Sequence, residues 1–162
     1  MLKKINILLL LTFFITCKRE YTGDFAWRSI DQNQFNYIEK MLISPQEFYT
    51  GRKNLYFGTQ ETIWWIYRFH NKFYLKPKFL VVLYSEIKSP QPVEIDLRIV
   101  QPDYQDGFYF IKQYYPPLEP GKYLLKIAAY EDKIPFDQVE FIVLPQEEIR
   151  QISGPVYPKK ID

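Results

Sequence analysis

The chain has 162 residues, enough for one domain with a substantial core. Apolar residues make up 47% and charged residues 25%, which excludes a disordered body. The formal net charge is only +2, and a nucleic-acid binder usually carries a larger basic excess, so we do not expect nucleic acid as a partner. The aromatic share of 19% favours β-strands.

The chain starts with a short basic segment that is followed by an apolar run. Lys3 and Lys4 precede residues 5–16, which are apolar except for one Asn and two Thr. This run has the length of the hydrophobic region of a signal peptide and is short for a membrane span, which needs about 20 apolar residues. It ends at Cys17, the single cysteine of the chain, which therefore cannot form an intrachain disulfide. A buried thiol, a nucleophile and a point of attachment remain as roles.

Residues 1–17 resemble the signal peptide of bacterial lipoproteins, in the relaxed form of spirochaetes, because the cysteine closes the apolar run after Phe14-Ile15-Thr16. The resemblance implies that the signal peptide, residues 1–16, is removed and that Cys17 carries acyl chains such as palmitate. It also implies a membrane partner in the cell envelope, at the outer membrane and facing the periplasm or the surface. An ordinary secretory leader, an uncleaved anchor and a cytosolic hydrophobic start are the alternatives.

The body of the chain is predicted to be a single all-β domain. Residues 17–34 are mostly polar and are expected to be the lipidated N-terminus and a tether, and residues 146–162 an extended tail. Between them, residues 35–145 contain short apolar segments separated by turn residues, which is typical of an antiparallel sandwich of seven or eight strands. The strands are expected at about 35–43, 54–58, 62–69, 79–84, 92–100, 107–114, 123–130 and 138–143.

Two of these segments show which side chains share a face. In residues 62–69 the alternation predicts one apolar face in the core and leaves Trp64 on the other face, either exposed or under the tether or a loop. In residues 92–100 four apolar side chains alternate with charged ones, which predicts a half-buried strand. These four are Val93, Ile95, Leu97 and Ile99.

The segment Leu118-Glu119-Pro120-Gly121-Lys122-Tyr123 is similar to the entry into the penultimate strand of immunoglobulin-like and fibronectin type III-like domains. The resemblance implies a tyrosine corner, in which the Tyr123 hydroxyl bonds back to nearby backbone. The cysteine pair of antibody domains is absent from the sequence. A Pro-Gly turn before any Tyr-rich strand is the alternative.

The residues that usually carry catalysis are sparse. His70 is the single histidine, whereas metal sites usually need several ligands of the His, Cys or carboxylate type. The acidic pairs at 103/106 and 131/132 fall at turns, where acids commonly bond to the backbone. We therefore expect no catalytic residues, no metal and no cofactor.

The remaining feature is a cluster of aromatic residues at 104–115, which cannot all face one core. They either pack within the sandwich or contribute to a binding surface, for which Trp64, Tyr109 and Tyr115 are the candidates. The sequence thus predicts a lipid-anchored, non-enzymatic module that binds a protein or another envelope component. The alternatives are an accessory lipoprotein that docks through an edge strand or its tail, and an envelope enzyme that acts on glycans.

Overall fold

The structure, a computed structural model, describes residues 21–31, 43–49, 55–73, 77–87 and 91–152. The predicted strand at about 35–43 therefore lies, except for its last residue, outside the described residues. The described ranges contain nine strands and one α-helix: β1 (Gly23–Asp31), β2 (Tyr56–Gly58), β3 (Glu61–Phe69), β4 (Phe79–Ser85), β5 (Val93–Val100), β6 (Asp103–Gln105), β7 (Phe108–Tyr115), β8 (Gly121–Ala129), β9 (Pro135–Leu144) and α1 (Gln146–Gln151). No helix in these ranges is long and apolar enough to cross a membrane.

The strands form two sheets packed as a sandwich. One sheet has four strands in the order β1-β3-β7-β6, and the other has five in the order β2-β9-β8-β4-β5. All pairs are antiparallel except β2 with β9, which is parallel. This strand order is that of an immunoglobulin-like sandwich. The predicted fold class is confirmed, with nine strands in place of seven or eight.

The core lies between the sheets and is largely aromatic. The predicted apolar face of β3 is confirmed, because Ile63, Trp65, Tyr67 and Phe69 are all buried in it. The five-stranded sheet contributes the alternate residues of its central strands, including Val81, Leu83, Leu125 and Ile127. Burial, together with a hydrogen bond to Asp137, raises the pKa of the Tyr67 hydroxyl.

The predicted tether is partly a strand of the domain. β1 pairs with β3 along its whole length, from Gly23 opposite Phe69 to Asp31 opposite Glu61. Trp27 on β1 is buried against Phe57 and Phe141, with ring centroids 5.6 Å away in both cases. The prediction of a tether through residue 34 is thus corrected for residues 23–31.

Both ends of the domain differ from the predicted linkers. At the N-terminal end, the Tyr21 ring packs against Phe79 at 5.0 Å and Phe136 at 5.2 Å. At the C-terminal end, helix α1 occupies residues 146–151 of the predicted extended tail. The described domain therefore includes residues on both sides of the predicted range 35–145, with Tyr21 before it and α1, which contacts β2, after it.

The predicted tyrosine corner is confirmed, and Asp106 lies at a turn as predicted, whereas Asp103 lies in β6. The Tyr123 hydroxyl donates a 2.8 Å hydrogen bond to the backbone carbonyl of Glu119, so the segment 118–123 forms a tyrosine corner. Burial, followed by the nearby Glu119 carboxylate, raises the pKa of Tyr123 to about 12. The β6–β7 hairpin turns at Asp106 and Gly107, with φ of 53° and 91°. Two positive φ angles in a two-residue loop match the twist of the flanking strands.

Candidate interaction surface

Among the strands that the structure describes, β5 lies at the edge of the five-stranded sheet and pairs with β4 alone. Its register places Asp96 and Arg98 opposite the buried residues Leu83 and Val81, so the two charged residues share the inner side of the sheet. The apolar residues between and after them, Leu97 and Ile99, face outward and are 48% and 55% exposed. The predicted strand is present, but Leu97 and Ile99 lie on its exposed side, and the side that faces the core carries Asp96 and Arg98.

The inward charged pair has partners that explain this orientation. Arg98 Nη1 donates hydrogen bonds of 3.0 Å to Gln113 Oε1 and 3.0 Å to the backbone carbonyl of Tyr114, both on β7. Its Nε lies 2.7 Å from Asp96 Oδ2, and its guanidinium lies over the Tyr115 ring, 4.8 Å from the centroid. These contacts join the two sheets at this edge through polar groups. Because the charged side chains of β5 face the other sheet, Leu97 and Ile99 face outward.

A β-bulge changes the direction of the first part of β5. The register shifts between Leu83 and Tyr84, and Glu94 then lies opposite Tyr84, which leaves Ile95 without a partner on β4. Val93 and Ile95 are both 49% exposed and border a cavity of about 300 Å³. Its other lining residues include Ser85, Ile87, Leu118 and Tyr123.

The exposed residues of β5 continue onto β4 and form one apolar surface. Ile99 lies beside Leu80, and Leu97 lies beside Val82, on the outer face of the sheet. We call these four residues the β5 patch. The next strand, β8, adds the nearly buried Leu124 and Ala128 on the same face. Lys126 of β8 lies beside the patch, with its ammonium group 5.1 Å from the centre of the Tyr84 ring.

The outer face of the other sheet is covered. Residues 43–49 lie over it and bury a second apolar cluster, consisting of Ala26, Ile43, Phe48, Trp64, Ile66 and Phe110. Polar contacts hold this segment down: Lys112 Nζ donates a 3.0 Å hydrogen bond to the carbonyl of Ile43, and Glu47 pairs with Arg28. The hydrogen bond from the backbone N–H of Ser44 and the nearby Arg28 lower the pKa of Glu47. Among the residues that the structure describes, no segment lies over the β5 patch in this way.

The predicted aromatic binding surface is not assembled. Trp64 is 6% exposed beneath residues 43–49, which corresponds to the alternative that a loop covers it, and its ring stacks on Tyr114 at 4.7 Å. Tyr115 is 2% exposed in the core, where burial raises its pKa. Tyr109 is half-buried and donates a 2.9 Å hydrogen bond to the carbonyl of Phe73. The three residues therefore do not share an exposed face.

The other residues singled out by the sequence are His70, which the structure describes, and Cys17, which it does not. His70 Nε2 lies 2.8 Å from Asp24 Oδ2, and both side chains are well exposed. No group of three His, Cys, Asp or Glu residues that could hold a metal ion occurs within the described ranges. Cys17, the predicted lipid attachment site, lies outside them.

Comparisons with known proteins give a structural similarity but no family. No family model and no curated protein matches the chain. Among solved structures, an immunoglobulin-like protein from Pseudomonas aeruginosa is similar over 77% of this chain and 95% of that chain. The sequence identity is 12% and the TM-score is 0.44. The fold assignment therefore rests on the strand order and the tyrosine corner of the chain itself.

Proposed function

We propose that the chain is a lipid-anchored, non-enzymatic protein of the cell envelope whose sandwich makes a protein–protein contact through the β5 patch. One observation supports this function above the others: Leu97 and Ile99 are half-exposed apolar side chains on an edge strand, next to the apolar Leu80 and Val82. Contiguous exposed apolar surface is a mark of interaction sites. Fold alone does not give function, so the proposal depends on this surface.

The anchor at Cys17 is the second part of the proposal. It is supported by the resemblance of residues 1–17 to lipoprotein signal peptides and by the position of the single cysteine at the end of the apolar run. Several acyl chains would hold the domain at a membrane, because each buried methylene contributes about 0.8 kcal/mol. Three residues separate Cys17 from Tyr21, the first residue that the structure describes.

An accessory lipoprotein that docks on an envelope complex is the second candidate function. The observation that favours it is the second side of β5, which no described strand pairs with, since an edge strand offers free backbone N–H and C=O groups to a strand from another protein. In this case the backbone edge, rather than the outer face, would supply most of the contact.

Mass spectrometry of the mature N-terminus tests the anchor. For the wild-type chain we expect a first residue Cys17 that carries acyl chains, and for Cys17→Ser we expect no acylation and loss from the membrane fraction. An unmodified wild-type chain that begins at another residue would contradict the anchor without affecting the β5 patch.

Site-specific photo-crosslinking in intact cells tests the contact. A photoreactive residue at position 97 should give a covalent adduct with another polypeptide, since Leu97 lies in the β5 patch. The same residue at position 140 is the matched control, because Glu140 is exposed on the outer face of the same sheet but two strands beyond β4. Equal yields at positions 97 and 140 would contradict a contact through the patch.

A further inference from the structure

We propose that the partner of the β5 edge is β5 of a second copy of this chain, paired antiparallel about a twofold axis that passes through Leu97. This inference rests on the proposed function, because it takes the β5 patch as a protein contact. Pairs of this kind are isologous: each copy offers the same surface, and each contact occurs twice.

The central sequence of β5 suits such a pairing. In Ile95-Asp96-Leu97-Arg98-Ile99 the apolar residues are placed symmetrically about Leu97, and an acid and a base occupy the positions between them. An antiparallel pair centred on Leu97 sets Leu97 opposite Leu97 and Ile95 opposite Ile99. It also sets Asp96 of each copy opposite Arg98 of the other, so that both cross-strand charge pairs are attractive. Opposite charges on directly facing strand positions stabilise an antiparallel pair.

This charge pattern also selects against other partners. Inward-pointing charged residues and β-bulges are devices that keep edge strands from pairing indiscriminately, and β5 carries both, in Asp96 with Arg98 and at Ile95. Asp96 and Arg98 already pair with each other within one copy, and a foreign strand with like charges at the facing positions would repel one of them. A second β5 supplies the complement of each, and such complementarity favours a specific partner more than it raises affinity.

Pairing at this edge would also extend the apolar surface. The two five-stranded sheets would become one continuous sheet, and the β5 patches of the two copies would adjoin across the twofold axis, with the two Leu97 side chains in contact. The side chain of Leu97 is about half exposed, so the Leu97 side chain of the second copy would remove part of the remaining apolar area from water. The backbone groups along the free side of β5 would gain hydrogen-bond partners at the same time.

Cysteine cross-linking in the full chain tests both the partner and the register. Directly opposite residues of an antiparallel pair have Cα atoms about 4.5 to 5.5 Å apart, within the range of about 4.4 to 6.8 Å that a disulfide spans. Leu97→Cys should therefore give a disulfide-linked dimer in membranes treated with oxidised glutathione. Position 99 is the matched control, because the two copies of residue 99 would be offset by four residues, about 13 Å along the strand, which is beyond disulfide reach.

The expected pattern is thus a dimer band for Leu97→Cys and for the double variant Ile95→Cys/Ile99→Cys, but none for Ile99→Cys alone. Each variant is made in the wild-type background and also in the Cys17→Ser background, where oxidation is carried out on the soluble fraction as well, so that cross-links through the native cysteine are recognised. Circular dichroism of each variant checks that the fold is retained.

Absence of a dimer at position 97 in a folded variant, or equal dimer at positions 97 and 99, would overturn the proposal. The photo-crosslinking at position 97 separates this failure from failure of the proposed function. An adduct of twice the chain mass supports the second copy. An adduct with a different protein overturns the dimer and leaves the protein–protein contact standing.

Discussion

Arg98 on β5 and Gln113 on β7 are joined across the sandwich by a 3.0 Å hydrogen bond from Nη1 to Oε1. The bond closes the gap between the two sheets at the edge where β5 ends the five-stranded sheet. It accounts for the inward orientation of the charged side chains of β5 and hence for the outward orientation of Leu97 and Ile99.

Replacing Arg98 by Met should destabilise the fold by about 1 to 2 kcal/mol, because the hydrogen bonds of its charged group are lost and Asp96 loses its cation. A double-mutant cycle with Gln113→Leu in urea unfolding should give a coupling energy of at least about 0.5 kcal/mol. Glu140→Gln, on the distant strand β9, is the control. Its change in the free energy of unfolding should simply add to that of Arg98→Met. An additive result for Arg98→Met and Gln113→Leu would contradict the hydrogen bond between the two side chains.

Trp64→Ala should act on stability rather than selectively on binding. The side chain is 6% exposed and packs under residues 43–49, so its removal leaves a cavity that costs about 3 to 5 kcal/mol. Tyr104→Ala, which removes a mostly exposed ring that contacts Tyr109 across the β6–β7 hairpin, is the control and should cost no more than about 1 kcal/mol. Similar unfolding midpoints in urea for the two variants would show that Trp64 is not covered.

Tyr123→Phe should cost about 1 kcal/mol, because the hydrogen bond to the Glu119 carbonyl is lost while the ring remains buried. The pKa of Tyr123 is raised from 10.0 to about 12, so the stabilisation from its protonated hydroxyl is fully present below pH 10 and is lost as pH rises through 12. The variant should therefore lose less stability than the wild type over this interval. Parallel alkaline unfolding curves would contradict the raised pKa of Tyr123, and equal stability of the two proteins at pH 7 would contradict the corner bond.

Glu47→Gln should loosen the segment that covers Trp64, and the effect should depend on pH. The folded-state pKa of Glu47 lies below 4.5, so its stabilisation is present above pH 4.5 and is lost as pH falls through the folded-state pKa. We expect the variant to be less stable than the wild type at pH 7, with the difference shrinking as the solution is acidified below 4.5. Urea unfolding at a series of pH values measures this difference.

The matched control for Glu47→Gln is Glu131→Gln, at the exposed turn between β8 and β9. A difference from the wild type that stays constant between pH 7 and pH 3 for Glu47→Gln would contradict the role of its carboxylate. Protease susceptibility of residues 43–49 should rise in the Glu47 variant at pH 7 and remain at the wild-type level in the control.

The sequence predicted those features that depend on local pattern. The apolar face of β3 and the corner at Tyr123 are each specified within a few residues, and both are confirmed. The strand β1 was missed because its inward rings, Phe25 and Trp27, are too few to show sustained alternation.

The exposed surface was not predictable from alternation alone. Period two predicts that the apolar side chains of residues 93–99 share one face, but the bulge at Ile95 breaks this alternation, and the register with β4 decides which side chains point inward. Similarly, the pattern placed Trp64 on the second face of β3, whereas its burial depends on residues 43–49, which come from a distant part of the chain. Long-range pairing, rather than local propensity, decided both outcomes.

The position of Tyr21 has a consequence for how the domain would lie at a membrane. Tyr21 packs on Phe79, the first residue of β4. Val100, the last residue of β5, lies opposite Phe79, so β5 ends at this same end of the sandwich. Four residue steps lead from Cys17 to Tyr21 and span at most about 14 Å. Acylation of Cys17 would thus hold this end of the domain at the lipid surface.

In an antiparallel β5 pair these ends point in opposite directions along the strands. Two acylated copies would then reach the same bilayer only with their strands lying along its surface. We therefore expect an anchored dimer to lie flat on the membrane, with its twofold axis along the membrane normal, whereas an anchored monomer would be free to stand upright.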